Sequence, residues 1–269
     1  MQPILLQIGP LTIRAYGVFV VAGLLLGAWW AKEEFRRRGL TRELYEDVFI
    51  GVIIGGVIGA RALFVILNWS RYEDSFWSVL TLWRDAGLSF HGAVAGAVLA
   101  SLLICWRHKV SFWTVADAAA PAIPLGHAIG RVGCFLNGCC HGKPTFSFVG
   151  VSFENPEIGI STPPSHPTQL YEAFLLVGLF LLLVRLRSQM VSPGRLFLLW
   201  IGGYGMIRFF VDFWRANLNA GQFLGLSAAQ WLSLALIVVS SFAFWKLPSR
   251  AVSPQQPFKK KRQDRTTAN

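Results

Sequence analysis

The chain has 269 residues, of which 54% are hydrophobic and only 14% are charged, and its net charge is +11. Soluble domains carry about 25% charged residues, so this composition excludes a large soluble core and indicates an integral membrane protein. Most of the basic residues occur in short loops and in the C-terminal tail. That distribution is typical of membrane orientation and argues against nucleic acid as a partner.

Seven segments reach or approach the roughly 20 apolar residues that a helix needs to cross a bilayer. In chain order they are 13–31, 47–67, 88–106, 113–136, 169–187, 195–213 and 227–246. The fourth segment contains Pro121 and Pro124, which predict a kink or break because proline removes a helical hydrogen bond. The sixth contains Arg208 and Asp212, so its polar face should line protein or water instead of lipid.

Small residues recur at one-turn spacing in the second and third segments. They are Gly51, Gly55 and Gly59 in the second segment and Gly92, Gly96 and Ala100 in the third. Small side chains let two helix backbones approach closely, so this spacing permits close contact at these positions.

Lysine and arginine are concentrated in the loops 32–46, 107–112 and 185–195 and in the tail. The positive-inside rule places these loops in the cytoplasm, with the N-terminus outside and the C-terminus cytoplasmic. The predicted fold is therefore an all-α polytopic membrane protein with about seven transmembrane helices. We expect one transmembrane domain over 1–248, followed by a basic, disordered cytoplasmic tail over 249–269 that touches anionic lipid.

The segment Gly130–Gly142 combines one arginine, one asparagine, three cysteines and four glycines directly after an apolar run. A charged side chain near hydrocarbon costs at least about 2.5 kcal/mol, so its presence indicates a functional site. The predicted topology places six polar residues at one depth beneath the outer surface. They are Tyr16, Arg61, His91, Arg131, Tyr204 and Arg208. We expect them to line one cavity in the outer leaflet.

Buried arginines need anionic partners, and few carboxylates are available for Arg131 and Arg208. Asp117 lies about four turns, or roughly 20 Å, below Arg131 on the same segment, which is too far for an ion pair. Asp212 is one turn from Arg208 and can pair with it, and Glu172 is the other available carboxylate. A phospholipid phosphate is the remaining candidate, because a guanidinium group binds phosphate bidentately.

Six motifs, taken in order, resemble those of the bacterial prolipoprotein diacylglyceryl transferase family. They are Arg14–Gly17, Gly59–Arg61, Ser89–Gly92, Gly130–Gly142, His166–Glu172 and Gly203–Arg208 with Arg215. The resemblance implies a seven-helix enzyme of the bacterial cytoplasmic (inner) membrane that needs no cofactor. The implied reaction moves the diacylglyceryl group of phosphatidylglycerol to the lipobox cysteine thiol in a prolipoprotein signal peptide and releases glycerol phosphate.

The candidate residues can be assigned to steps of that reaction. Arg131 and Arg208 would bind the phosphate and stabilise the leaving group. His91 is the candidate base for the incoming thiol, because an imidazole pKa lies near 6.5. The other predicted substrate-binding residues are Tyr16, Arg61, Asn137, Gly142, Glu172, Tyr204 and Asp212. Gly142 is expected to let the backbone approach the lipid.

The chain departs from the usual family pattern in three places. Cys134 and Cys139 stand where asparagine and glutamate are usual, and Asp212 stands where a glutamate is usual. A Pro-Asp pair that commonly follows the last arginine is replaced by residues 217–219, Asn-Leu-Asn. Thiols are poorer hydrogen-bonding groups than amides and carboxylates, so these changes concern headgroup recognition more than reaction class.

Several alternative interpretations remain open at this stage. Arg131 can instead cap carbonyl groups, and His91 can be a packing residue at a helix start. His127 and His166 are expected to be structural. The three cysteines near His141 can hold a metal ion, form a disulfide or remain free thiols.

Two other functions compete with the transferase. An arginine-lined membrane transporter of a small anion or lipid would use the same cavity, although transporters usually contain repeated halves and no second copy of Gly130–Gly142 is present. A divergent family member with a thiol or redox role would depend on the cysteine cluster.

Overall fold

The structure is a computed structural model, and it describes residues 4–8, 11–72, 87–155, 160–190, 192–216 and 222–247. The predictions for the tail, 249–269, lie outside these residues. The helices described are α1 Ala15–Arg37, α2 Arg42–Leu67, α3 Phe90–Arg107, α4 Phe112–Ala119, α5 Ala122–Leu136, α6 Thr168–Leu186, α7 Arg195–Val211 and α8 Ala228–Lys246. Among the described residues, six helices are long and apolar enough to span a membrane, and α5 is a shorter apolar helix. The predicted polytopic helical architecture is confirmed.

The predicted break in the fourth segment is confirmed at Pro121. Helix α4 ends at Ala119 and α5 begins at Ala122, so the two short helices together form this segment. Pro121 has no N–H to continue the hydrogen-bond ladder of α4. Pro124 lies in the first turn of α5, where a backbone N–H would have no helical acceptor, and proline is therefore tolerated there.

Helices α2 and α3 pack against each other in antiparallel orientation through the small residues, which confirms the predicted close contact. A Cβ atom on Gly96 would lie 2.0 Å from the carbonyl oxygen of Gly55, and one on Gly59 would lie 2.4 Å from that of Gly92. Any side chain beyond hydrogen at these positions would force the backbones apart. Helices α1 and α5 make a similar approach.

Three short β-hairpins, which the sequence analysis did not anticipate, connect to the helices. They are β1 Ile4–Ile8 with β2 Leu11–Arg14, β3 Glu154–Asn155 with β4 Ile160–Ser161, and β5 Gln222–Phe223 with β6 Leu226–Ser227. They precede α1, α6 and α8, whose first residues share one end of the alternating bundle. By the charge rule, this end faces the outside.

At the opposite end, the buried carboxylate of Glu34 joins α1 to the end of α6. It accepts hydrogen bonds from Arg37 Nε at 2.9 Å and from Arg38 Nε at 3.1 Å. Arg187, just after α6, donates from Nη1 at 3.0 Å. A buried charge requires such partners, so Glu34 holds these elements in register.

The buried carboxylate of Asp117 on α4 caps the first turn of α7. Its two oxygens accept the backbone N–H groups of Gly194 at 2.9 Å and Phe197 at 2.8 Å. Gly194 occupies the N-cap position of α7 and has no side chain to cap that helix itself. Asp117 also lies 3.7 Å from Arg38 Nη1, which connects it to the Glu34 network instead of to Arg131.

Substituting Gly96→Ala should lower the melting temperature of the detergent-solubilised protein by several degrees. The new methyl group would collide with the Gly55 carbonyl, where the calculated separation is 2.0 Å. Gly178→Ala on the exposed face of α6 is the matched control, because nothing lies within 4 Å of its Cβ position. Equal melting temperatures for the two variants would contradict the proposed helix contact.

Asp117→Ala should also lower the melting temperature. It would leave two backbone donors of α7 without acceptors, each costing about 1–3 kcal/mol when buried. Glu33→Ala serves as the control, because Glu33 pairs with Arg36 on the exposed surface of α1 and such pairs contribute little. If both variants have the same melting temperature as the wild type, Asp117 does not stabilise α7.

Candidate active site

The buried carboxylate of Glu172 is the centre of a cluster of basic side chains, which we call the arginine cluster. Arg131 Nη2 donates to Glu172 Oε1 at 2.9 Å. Arg215 Nη1 lies 3.8 Å and Arg208 Nη1 lies 4.0 Å from Oε2. His127 Nε2 lies 3.7 Å from Oε1. Glu172 has only 1% of its surface exposed, so these groups provide its charge compensation.

Four separate elements bring these side chains together. His127 and Arg131 are one turn apart on the same face of α5. Glu172 lies in the second turn of α6, close to the end at which that helix begins. Arg208 lies in the last turn of α7, and Arg215 follows the short 3-10 helix Asp212–Trp214. The alternating direction of the helices places all of them at the outer end of the bundle.

Asp212 pairs with Arg208, as predicted, and it also connects the cluster to α8. The distance from Arg208 Nη2 to Asp212 Oδ1 is 3.3 Å. Ser227 Oγ donates to Asp212 Oδ2 at 2.5 Å. Ser227 also forms a capping box with Gln230 at the start of α8, so that helix is anchored to the site.

The arginine cluster carries an excess of positive charge. Three guanidinium groups face two carboxylates, those of Glu172 and Asp212. Burial, together with repulsion from Arg208 and Arg131, lowers the pKa of Arg215 below its ordinary value. Arginine nevertheless stays protonated, so an additional anion would relieve the repulsion.

Two buried guanidinium nitrogens of the cluster have hydrogen-bonding capacity left. Among the described residues, neither Arg131 Nε nor Arg208 Nη1 has a hydrogen-bond acceptor. Unsatisfied buried donors are costly, and charged ones more so. The two arginines that sequence analysis assigned to phosphate therefore meet at one carboxylate and retain donors for a further acceptor.

Tyr204 and Tyr16 lie beside this cluster. The ring of Tyr204 is 5.6 Å from that of His127, centre to centre, and stacks on Trp200. The backbone of Tyr16 at the start of α1 packs against Gly133, where a Cβ atom would lie 3.5 Å from Tyr16 Cα. The exposed side chain of Tyr16 is thus near the end of α5 that carries Arg131.

Gly142 lies in close contact with neighbouring protein atoms, and its approach to the lipid stays a prediction. A Cβ atom there would lie 2.3 Å from the carbonyl oxygen of Trp214 and 2.7 Å from Thr168 Cγ2. Gly142 forms a β-bridge with Arg215, and its N–H donates to the carbonyl of His166 at 2.8 Å. The close approach is therefore to protein, and it positions Arg215.

Arg61 and His91 lie on the α2–α3 side of the same end. Arg61 is buried, donates to the Gly87 carbonyl at 3.3 Å and lies over the Tyr72 ring at 5.1 Å. His91 is exposed in the first turn of α3 and touches the Phe90 ring. Within the described part of the chain, His91 makes no hydrogen bond or ion pair with the arginine cluster. Of the residues expected to share one cavity, Arg131, Arg208 and Tyr204 lie together, whereas His91 lies apart.

Two residues of the cluster, His127 and Arg215, are not among the catalytic or binding residues predicted from the sequence. The spacing of four residues between His127 and Arg131 was an available signal, since it places both on one helix face. Arg215 belonged to a recognised motif, but its position next to Glu172 depends on how the chain turns after α7. His166 has the expected structural contacts, with Nδ1 3.1 Å from the Tyr171 hydroxyl.

The cysteines of the described residues are free thiols, so the disulfide alternative is not the arrangement present. The sulfur atoms of Cys134, Cys139 and Cys140 all lie within 4.8 Å of one another. Hydrogen bonds from the other two thiols lower the pKa of the Cys140 thiol. The positive charges of Arg215 and Arg131 lower this pKa further, whereas burial opposes them. The cysteines thus border the arginine cluster.

The fold and the site define a polytopic helical membrane protein with a buried cationic cluster at one end. A family model described as "Prolipoprotein diacylglyceryl transferase" matches residues 3–246. The chain belongs to the prolipoprotein diacylglyceryl transferase family.

Curated relatives extend over nearly the same length. A protein of Geobacillus kaustophilus is 37% identical over 250 residues, covering 90% of each chain. Relatives from Bacillus velezensis and Thermosynechococcus vestitus are 34% and 33% identical, covering 89% and 90% of this chain and 89% and 91% of their own. All three are named phosphatidylglycerol--prolipoprotein diacylglyceryl transferase.

Glu172→Gln should destabilise the protein strongly, because it leaves the guanidinium groups of the cluster without their shared charge. Breaking one partner of a buried ion pair costs about 3–5 kcal/mol, and the melting temperature should fall accordingly. Glu46→Gln is the control, since its pair with Arg42 is exposed. Adding Arg215→Gln to Glu172→Gln should recover part of the loss. A Glu172→Gln variant as stable as the wild type would contradict the central role of this carboxylate.

Proposed function

We propose that this protein transfers the diacylglyceryl group of phosphatidylglycerol to the lipobox cysteine thiol in the signal peptide of a prolipoprotein, releasing glycerol phosphate. Family membership and the printed names of the relatives support this reaction. The observation that carries it is the arginine cluster, in which three guanidinium groups share two carboxylates at one end of the bundle.

Arg131 and Arg208 bind the phosphate of phosphatidylglycerol in this mechanism. The thiolate sulfur attacks the glycerol carbon that carries the phosphate ester, and a carbon–sulfur bond replaces the carbon–oxygen bond. The departing oxygen takes the electron pair, so negative charge grows on the phosphate. Preorganised cations in a site that excludes water stabilise that charge most effectively. Arg215 adds its charge from the turn after α7.

The incoming thiol must lose a proton before it attacks. An ordinary cysteine pKa is about 8.5, so a base or a positive field is needed near neutral pH. We assign His91 as the base, because its exposed imidazole lies at the same end of the bundle and can meet a peptide that enters from the α2–α3 side. We assign Arg61, which is buried at the same end of α2, to substrate binding.

The remaining polar residues orient the headgroup. We assign this role to Tyr16, Asn137 and Tyr204, which lie on α1, at the end of α5 and on α7. Glu172 and Asp212 position the arginines and thereby hold the headgroup indirectly. Gly142 contributes by allowing the bridge to Arg215.

We place the reaction in the bacterial cytoplasmic membrane, with the arginine cluster on the outer side. The helices of sufficient length and hydropathy support a multi-pass membrane protein. The excess of basic residues in the loops at the other end supports the orientation. A signal peptide that has crossed the membrane would then present its cysteine at the level of the cluster.

Replacing Arg131 or Arg208 with alanine should reduce transfer at least about 100-fold, the cost typical of removing one donor to a developing oxyanion. The assay incubates purified protein with labelled phosphatidylglycerol and a lipobox peptide and measures the peptide mass for one added diacylglyceryl group. Arg36→Ala, an exposed arginine at the other end of the bundle, should retain full activity.

Full activity in both cluster variants would refute the assigned roles. A wild-type protein that adds no mass to the peptide but moves phosphatidylglycerol or phosphate between vesicle compartments would favour the transporter.

A further inference from the structure

Cys134, Cys139 and Cys140 form a compact group of thiols, which we call the three-cysteine cluster. Their sulfur atoms lie within 4.8 Å of one another, although the residues come from the last turns of α5 and the turn that follows. Cys140 is exposed and the other two are half-buried. An ion could therefore reach the cluster from outside. The proposed transferase chemistry assigned above uses none of these thiols.

The backbone of the turn is held rigidly by buried side chains from the start of α6. Gln169 Nε2 donates to the Cys139 carbonyl at 2.6 Å, and Thr168 Oγ1 donates to the Cys140 carbonyl at 3.0 Å. Both donors are on residues with 1% exposure. Supporting hydrogen bonds of this kind are typical of sites that must present ligands in a fixed geometry.

Cys140 itself adopts a left-handed backbone conformation with φ of 65°. Such a conformation is unfavourable for a residue with a side chain and persists only when its surroundings enforce it. Here it allows two consecutive residues, Cys139 and Cys140, to direct their sulfur atoms toward Cys134. The left-handed conformation of Cys140 therefore helps to bring the three thiols together.

The geometry suits a thiophilic d10 cation. Zinc binds thiolate sulfur at about 2.3 Å, which places the sulfurs of a tetrahedral site about 3.8 Å apart. The separations between the three sulfurs, all within 4.8 Å, exceed that value by about 1 Å at most. The ligand atoms that converge are the three sulfurs, and no histidine nitrogen of the described residues is among them. One coordination position is left open.

The neighbouring charges complement such a site. A divalent cation with three thiolates carries a net negative charge. The guanidinium groups of Arg215 and Arg131 act electrostatically on Cys140, and the arginine cluster holds an excess of positive charge. Opposite charges in a partly buried location stabilise each other.

We infer that the three-cysteine cluster binds Zn²⁺, or a cation of the same thiophilic class, and that an external thiol occupies its open position. The second part rests on the proposed function, in which the acceptor is a cysteine thiol. On coordination that thiol would release its proton, through water, to the base assigned above, His91, and bind as a thiolate. As its sulfur forms the bond to the glycerol carbon, the metal–sulfur bond breaks and the phosphate leaves with the electron pair of the carbon–oxygen bond.

Cobalt(II) binding to the full-length, reduced protein in detergent tests the metal site. Co²⁺ should bind with one-to-one stoichiometry and give sulfur-to-metal charge-transfer bands in the near ultraviolet, which Zn²⁺ abolishes by competition. Adding a lipobox peptide should shift the visible d–d bands, whereas the same peptide with serine in place of cysteine should not.

The decisive variant is Cys134→Asn combined with Cys139→Glu, which restores the residue types usual in the family. Its affinity for Co²⁺ should fall at least about tenfold. Removing even a residue that only hydrogen-bonds to a metal ligand costs about tenfold or more in affinity. Cys105→Ala is the matched control, because this thiol is buried in the core between α2 and α3 and should not affect binding. Retained affinity in the double variant would overturn the metal site, and unshifted d–d bands would overturn the open position.

These readouts require neither phosphatidylglycerol nor transfer. A wild-type protein that transfers lipid but binds no Co²⁺ would refute only the metal inference. One that binds Co²⁺ through the three cysteines but transfers no lipid would refute only the proposed reaction.

Discussion

The ion-pair cluster around Glu172 is the interaction on which the outer end of the molecule depends. A single buried carboxylate, 1% exposed, faces guanidinium groups from α5, from α7 and from the turn after it. Removing such charges from water is expensive, so their geometry must be held by the surrounding helices. Because the guanidinium groups outnumber the carboxylates, the same arrangement that organises the fold leaves capacity for one more anion.

The inner end and the helix seams make that geometry possible. Glu34 and Asp117 connect α1, α4, α6 and α7 through buried hydrogen bonds. Glycines such as Gly55 and Gly96 bring α2 and α3 into backbone contact. In a lipid environment the hydrophobic effect contributes little to helix association, so close packing and polar contacts must provide the specificity. The helices that carry the site are thus held in place by glycine contacts along their length and by polar contacts at the opposite end of the bundle.

The three cysteines form a second group of functional side chains beside the arginine cluster. Cys134 and Cys139 carry thiols, which hydrogen-bond more weakly than amides and carboxylates but bind soft metals well. Their convergence with Cys140 next to Arg215 and Arg131 changes what this side of the site can bind. The Arg–Glu interactions, by contrast, need none of the three thiols.

By itself, the sequence determined the membrane class, the apolar segments, the break at Pro121 and the pairing of Arg208 with Asp212. These features follow from composition and from spacings within one helix, which are local properties. Only the tertiary structure decided that Glu172 is shared by several arginines, that His127 and Arg215 join them, and that His91 stands apart. Contacts between helices depend on how each helix is rotated about its axis and on the path of the chain after each turn. The periodicity within a single segment specifies neither the rotation nor the path.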